Sequence, residues 1–113
     1  MTLTREKLGR RLDEPLVRRV FQRRGTVEIL LLLKDQDRLR FTEIDEGIPL
    51  VAKRVVNARL AELRETGMIE RSVIEGPPVS TRYSLTSHGQ QLAHAADLIE
   101  AVATSEDLPS LAA

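Results

Sequence analysis

The side chains with the clearest chemical use lie in residues 50–66, LVAKRVVNARLAELRET, which predict one amphipathic helix closed by Gly67. Its apolar face recurs at i, i+4 and i+7 and consists of Val56, Leu60 and Leu63. Its polar face carries Lys53, Arg54, Asn57 and Ala58. Arg and Lys bind phosphates or guanine edges, and Asn pairs with adenine. The pattern is compatible with a helix in the major groove of DNA, and also with an ordinary surface helix.

Other reactive residue types point away from catalysis. The 113 residues contain no Cys, which excludes disulfides, thiol redox switching and thiolate metal ligands within them. His88 and His94 are six residues apart and lack a motif partner for metal binding or nucleophilic catalysis. No Gly-rich phosphate-binding loop is present. We therefore predict that the protein is not an enzyme and has no catalytic residue, metal site or cofactor.

Length and composition predict one globular domain. Hydrophobic residues make up 42% and charged residues 30% of the chain, which is typical of soluble globular proteins. No apolar run reaches the roughly 18–20 residues that a membrane span needs. The basic N-terminus lacks the apolar core of a secretory signal. We expect a cytoplasmic protein with no membrane segment.

The formal net charge is zero, but the charges are unevenly distributed. Residues 1–24 carry eight Arg or Lys against three Asp or Glu, and residues 38–64 carry six against four. Residues 86–113 carry four acidic residues and no Arg or Lys. This asymmetry is compatible with a DNA-facing side and a separate side for solvent or a dimer partner.

The first part of the chain predicts two helices. Asp13 as N-cap and Pro15 in the first turn are expected to start a helix that Gly25 ends. Thr26 is the expected cap of an apolar helix over 27–34, which should lie at the centre of the core. The exposed face of the first helix carries Arg18, Arg19, Arg23 and Arg24. These arginines indicate either phosphate contact or a solvated face.

A short helix, a turn and a longer helix fill residues 42–66. Thr42 is the expected cap of the short helix, which runs to Glu46 after strand-like residues 38–41. Pro49 is expected in the first turn of the 50–66 helix, where its missing N–H needs no partner. This order is the helix-turn-helix pattern, with the second helix in the recognition role.

A two-stranded wing is predicted directly after the long helix. Residues 68–74 and 81–85 alternate as strands do, and residues 75–80 form the loop because Gly and paired Pro interrupt a ladder. Arg71 and Arg82 could reach phosphates from these strands. The last helix is expected over residues 87–104, with Thr86 as cap and an apolar stripe of Leu92, Ala95, Ala96, Ile99, Val102 and Ala103.

Several short motifs resemble those of the HxlR-type branch of the MarR-like winged-helix regulators. Residues 25–33 resemble the opening helix of that family, and residues 40–44, RFTEI, resemble its RFSEL segment. Residues 57–63, NARLAEL, with 66–71, TGMIER, resemble T-x-R-L-x-E-L followed by G-L-V-x-R. Residues 77–79 and 83–89 resemble the wing pattern P-P-x-V-x-Y-x-L-T-x-x-G. The resemblance covers roughly residues 23–103, and its strength lies in the order and spacing of the motifs.

The resemblance implies an α+β, mostly α fold: a winged helix-turn-helix with a two-stranded wing and N- and C-terminal dimerisation helices. It implies a transcription regulator that binds specific double-stranded DNA as a homodimer. Helix 50–66 would enter the major groove and wing 68–85 would lie at the flanking minor groove. The candidate DNA-binding residues are Lys53, Arg54, Asn57, Ala58, Arg59, Arg40, Thr42, Arg71 and Arg82. The expected divisions are a basic arm or N-terminal helix (1–12), the winged-helix domain (13–104) and a flexible tail (105–113).

Two departures from the family pattern affect what the resemblance implies. Family members usually have a Ser or Thr near the start of the recognition helix, where this chain has Leu50-Val51-Ala52. Many also carry an N-terminal sensor Cys, which is lacking here. An effector, if there is one, would have to be a small molecule between the dimer helices and the DNA-binding core. The alternative function is a winged helix used for protein–protein contact or assembly without DNA, since fold does not fix function.

Overall fold

In the computed structural model, residues 14–105 are described, and they form five helices and one two-stranded sheet. In chain order these are α1 (Pro15–Gln22), α2 (Thr26–Asp35), α3 (Phe41–Gly47), α4 (Lys53–Glu65), β1 (Ile69–Ile74), β2 (Ser80–Leu85) and α5 (Ser87–Ala103). This architecture confirms the predicted mostly helical α+β fold with a two-stranded wing. The arm predicted at residues 1–12, and the tail predicted at 105–113 apart from its first residue, lie outside the described residues, so the domain limits remain predictions.

The first two helices begin at residues other than the predicted caps. Glu14, rather than Asp13, caps α1: its Oε2 accepts hydrogen bonds from the N–H groups two and three residues on, at 2.9 and 3.2 Å. Helix α1 ends at Gln22, and Gly25 is the N-cap of α2. Gly25 has a φ of 95°, a left-handed conformation that glycine adopts without a steric penalty. The prediction that Thr26 caps α2 is wrong, because Thr26 is the first helical residue and its side chain is buried.

Helix α2 lies at the centre of the core, as its apolar run predicts. Ile29 and Leu30 are fully buried, and α2 packs against α5, β2, α4 and α3. The surrounding buried cluster consists of Leu33, Leu39, Ile44, Ile48, Val51, Val56, Leu60, Leu63, Met68, Ile69 and Ala93. Burial of a side chain of this size contributes about 1.5–3 kcal/mol. The core therefore fixes α3 and α4, the two helices of the helix-turn-helix, in one orientation relative to α2.

The wing is an antiparallel hairpin in which β1 and β2 pair over their whole length. The segment before α3 joins the edge of this hairpin. Leu39 N–H donates to the Tyr83 carbonyl at 3.0 Å, and Tyr83 N–H donates to the Leu39 carbonyl at 2.8 Å. The strand character predicted for residues 38–41 is thus a single β-bridge, which ties the helical part of the domain to the wing.

The wing is joined to α5 through Thr86, which caps that helix as predicted. Its Oγ1 accepts a hydrogen bond from the Gly89 N–H at 3.0 Å and donates to the Gly67 carbonyl at 2.6 Å. The Thr86 N–H donates to the Met68 carbonyl at 3.0 Å. The end of α4, the start of β1 and the start of α5 therefore meet at one hydrogen-bonded junction.

An ion pair connects α2 to the middle of α5. Lys34 Nζ donates to Asp97 Oδ2 at 2.8 Å, and this hydrogen bond lowers the pKa of Asp97 and raises the pKa of Lys34. An exposed pair of this kind adds little stability. Beyond it, α5 exposes Leu98, Ile99 and Val102. Only part of the apolar stripe predicted for this helix is therefore buried in the core of the chain.

We predict that Gly89→Ala lowers the stability of the domain. A Cβ at Gly89 would overlap the backbone carbonyl of Met68. This group cannot rotate away as a flexible side chain could. Overpacking of this kind costs about 1–3 kcal/mol, whereas Gly→Ala in an unobstructed helix stabilises by roughly 0.5–1 kcal/mol. Urea unfolding followed by circular dichroism measures whether the free energy of unfolding falls or rises. The control is Gln91→Ala at an exposed position of α5, and a stabilised Gly89→Ala variant would contradict the close approach.

Candidate nucleic-acid interface

The helix that carries the predicted DNA-binding residues starts later than the sequence indicated. Helix α4 begins at Lys53, so the prediction that Pro49 lies in its first turn is wrong. Ile48 and Val51 are both buried, and the Val51 N–H donates to the Ile48 carbonyl at 3.0 Å, which keeps residues 48–51 in a turn. Ala52 is the N-cap and makes no side-chain capping hydrogen bond. The missing hydroxyl noted in the sequence thus falls at the N-cap of α4.

The two faces of α4 are divided as the sequence predicts. Val56, Leu60 and Leu63 are buried in the core. The solvent-exposed residues include Lys53, Arg54, Asn57 and Ala58. Four of the predicted site residues are therefore brought together on the exposed side of the first turns of one helix. This arrangement can donate hydrogen bonds from an ammonium, a guanidinium and an amide to one ligand surface.

Arg59 differs from these four residues because its guanidinium turns back into the protein. Its Nε donates to the carbonyl of Arg24 at 2.8 Å, and its Nη1 donates to Glu62 Oε1 at 3.0 Å. The side chains of Arg59 and Glu62 are only 17% and 16% exposed. The same Glu62 oxygen accepts a hydrogen bond from Arg23. Arg59 therefore positions α4 from within the domain.

The turn between α1 and α2 also holds the segment before α4. Arg24 Nη2 donates to the carbonyl of Leu50 at 2.9 Å. We call the group formed by Arg23, Arg24, Arg59 and Glu62 the α1–α4 clamp. Two arginines that the sequence assigned to phosphate contact or solvent thus bind protein acceptors, and both of them also remain exposed to solvent. The i, i+3 spacing of Arg59 and Glu62 was the only local signal of this arrangement.

The residues predicted at the start of α3 surround Glu43. Glu43 Oε1 accepts hydrogen bonds from the Arg40 N–H at 2.9 Å and from Arg82 Nη1 at 3.4 Å. Arg40 is the N-cap of α3 and is exposed. The prediction that Thr42 caps α3 is wrong: Thr42 lies in the first turn, with its side chain exposed. Arg82 is therefore held beside α3, next to two of the other predicted residues.

The wing brings its two arginines to opposite faces. Arg71 pairs with Tyr83, while Arg82 pairs with Ser72, and paired residues share a face of the hairpin. Arg71 is exposed. Between Ser72 and residue 81 the only charged side chain is a glutamate, and Val73 and Val79 are exposed. The tip of the wing thus carries no positive charge, and the two arginines of the wing lie nearer its base.

Neither a metal site nor a membrane span is found in the described part of the chain. Among residues 14–105, no group of three or more His, Cys, Asp or Glu side chains is placed to hold a metal ion. No helix in the same range is long and apolar enough to cross a bilayer.

Helix α4, the short helix before it and the hairpin after it define a winged helix-turn-helix protein. The chain matches the HxlR-like helix-turn-helix family over residues 20–107, and it belongs to that family. The proteins it resembles are transcriptional regulators rather than enzymes.

Individual relatives agree with this family. The chain is 44% identical over 54 residues to an uncharacterised HTH-type transcriptional regulator, YvaP, of Bacillus subtilis (strain 168), covering 48% of this chain and 50% of that protein. The chain thus spans about half the length of the curated relatives it matches. The reduced form of the transcriptional regulator YodB from B. subtilis superposes with a TM-score of 0.71 at 26% identity, covering 96% of this chain and 99% of YodB. The quinone-bound form of YodB gives 0.63 at 28% identity, covering 78% and 91%.

We predict that Glu62→Gln loosens the α1–α4 clamp and destabilises the domain. Two guanidinium groups would then face a neutral amide that accepts hydrogen bonds more weakly than a carboxylate. Loss of charge-assisted hydrogen bonds at a site this enclosed should lower the free energy of unfolding by about 1–3 kcal/mol. Urea unfolding measures the change. Glu65→Gln, at an exposed position of the same helix, is the matched control, and equal stabilities of the two variants would contradict a structural role for Glu62.

Proposed function

We propose that the protein is a transcription regulator that binds specific sequences of double-stranded DNA through α4. The main support for this proposal is that Lys53, Arg54 and Asn57 are exposed together on one side of α4. The opposite side of the helix is buried in the core. A helix of this kind fits the major groove, where each base pair presents a distinct pattern of donors and acceptors. Membership of the HxlR-like family and the regulator relatives support the same function.

The other exposed candidates extend this surface in the proposal. Arg40 and Thr42 at the start of α3 would contact the phosphate backbone, since the first helix of such a pair crosses it. The wing would lie at the flanking minor groove, with Arg71 and Arg82 near its base. Arg59 has a positioning role, because its guanidinium donates to protein acceptors.

We further propose that the protein acts as a homodimer and that α5 supplies part of the contact. The exposed apolar residues Leu98, Ile99 and Val102 lie within one and a half turns near the end of α5. Burial of each against a partner would remove apolar surface from water. A dimer would place two copies of α4 at a spacing of about one turn of DNA, 34–36 Å.

A small-molecule effector is also part of the proposal. A YodB structure that is similar to this chain has a quinone bound, and this likeness supports a regulator that binds a small molecule. These 113 residues have no Cys, so an effector would bind them without a thiol bond.

The DNA-binding proposal predicts a characteristic effect of salt. Lys53→Ala should weaken binding to a duplex selected from a random pool and lower the slope of log K against log salt by about 1, because one phosphate contact is lost. Asn57→Ala, a change without charge, should leave the slope intact while altering base preference by about 1–3 kcal/mol. Fluorescence anisotropy over a salt series measures both.

Lys34→Ala is the control for simple loss of positive charge, because Lys34 lies at the α2–α5 contact with Asp97. Its salt slope should equal that of the unmodified protein. Failure of the unmodified protein to bind any duplex in a salt-dependent manner would overturn the DNA-binding function and favour an assembly module.

The dimer proposal predicts that a charge on the exposed face of α5 produces monomers. Val102→Asp places a carboxylate where an apolar contact would be buried, and an unpaired buried charge is strongly unfavourable. Sedimentation velocity at micromolar concentration should show a dimer for the unmodified protein and a monomer for the variant. Val79→Asp, on the exposed wing tip, is the matched control and should remain dimeric. A monomeric unmodified protein would contradict the proposal.

A further inference from the structure

Leu50 is the most exposed large hydrophobic side chain described in residues 14–105, at 85% exposure. It lies in the turn between α3 and α4, two residues before the N-cap of α4. Its neighbours in the turn, Ile48 and Val51, are buried in the core. The turn is therefore anchored on both sides of Leu50, and the Leu50 side chain points outwards.

The backbone at Leu50 is also held from a second direction. Its carbonyl accepts a hydrogen bond from Arg24 Nη2 at 2.9 Å, and the adjacent Val51 N–H donates to the Ile48 carbonyl at 3.0 Å. A side chain on a fixed backbone loses less conformational freedom on binding than one on a mobile loop. The backbone that carries the Leu50 side chain is thus already fixed before any partner binds.

The surroundings of Leu50 indicate the kind of partner. The guanidinium of Arg24 contacts its carbonyl, and the exposed Lys53 and Arg54 follow within the first turn of α4. An apolar side chain with positive groups around it fits a polyanion that carries a local apolar group. In the major groove of DNA that group is the 5-methyl of thymine. The N-cap Ala52 adds a methyl group, where a hydroxyl would favour phosphate.

We propose that Leu50 determines sequence specificity by packing against the 5-methyl group of a thymine at the edge of the site read by α4. This proposal rests on the DNA-binding function proposed above. Leu50 supplies discrimination between thymine and the other bases without any hydrogen bond. Binding should therefore respond to the methyl group itself, separately from base pairing and phosphate charge.

The experiment replaces single thymines by 2′-deoxyuridine, which removes only the methyl group, in a duplex selected from a random pool. For the unmodified protein we expect at least one position where the replacement weakens binding about three- to fivefold, as removal of one methyl contact implies. Leu50→Ala should bind the original duplex more weakly and should show no such penalty at that position. The control Val79→Ala, an exposed residue of the wing, should keep the full penalty.

Two results would overturn the proposal. One is that no thymine-to-uracil replacement weakens binding of the unmodified protein. The other is that Leu50→Ala retains the same penalty at every position. Thermal unfolding of Leu50→Ala checks that the fold is intact, which we expect because the side chain is exposed. Absence of any salt-dependent duplex binding by the unmodified protein would instead reject the DNA-binding function itself, so the two failures are distinguishable.

Discussion

The orientation of α4 depends on paired charges packed between segments that are far apart in the sequence. Glu62 accepts hydrogen bonds from Arg59 and Arg23, and Arg59 also donates to the carbonyl of Arg24. Charges that are largely removed from water are stable only when they are paired and hydrogen-bonded. Rotation of α4 by even part of a turn would move Arg59 and Glu62 away from their partners, and both side chains are largely enclosed. The α1–α4 clamp therefore restricts α4 to one orientation, and it links that orientation to the turn after α1.

A second constraint acts just after the C-terminal end of α4. The carbonyls of Gly67 and Met68 accept hydrogen bonds from Thr86, and Gly89 lies against the same backbone. The segment that enters the wing from α4 and the segment that leaves the wing for α5 are thus joined at the same junction. The α1–α4 clamp holds the middle and the second half of α4 through Arg59 and Glu62, and this junction follows the end of the helix. Asn57 lies on the exposed side of the same helix, in the turn before Arg59.

The sequence predicted those features that depend on local pattern. The period of Val56, Leu60 and Leu63 located the buried face of α4, and a hydroxyl residue before the last helix located the Thr86 cap. Features that depend on tertiary contact were not predictable. Pro49 suits a helix start locally, but burial of Ile48 and Val51 favours a turn. The direction of the Arg59 side chain is set by a carbonyl 35 positions away, which no short-range pattern contains. The DNA-binding residues remain predictions, because exposure alone does not identify a ligand.

The distribution of charge has a consequence for how the proposed DNA-binding surface would discriminate between sequences. Arg23, Arg24 and Arg59 all donate to protein acceptors, and the formal net charge of the chain is zero. The non-specific affinity of a protein for DNA comes almost entirely from neutralised phosphates. In the DNA complex proposed above, a net charge of zero limits this non-specific contribution, so contacts with the bases would supply a larger share of the affinity for one site. Amide hydrogen bonds and apolar contacts at the start of α4 are suited to that role, because neither is diminished by salt to the extent that a phosphate contact is.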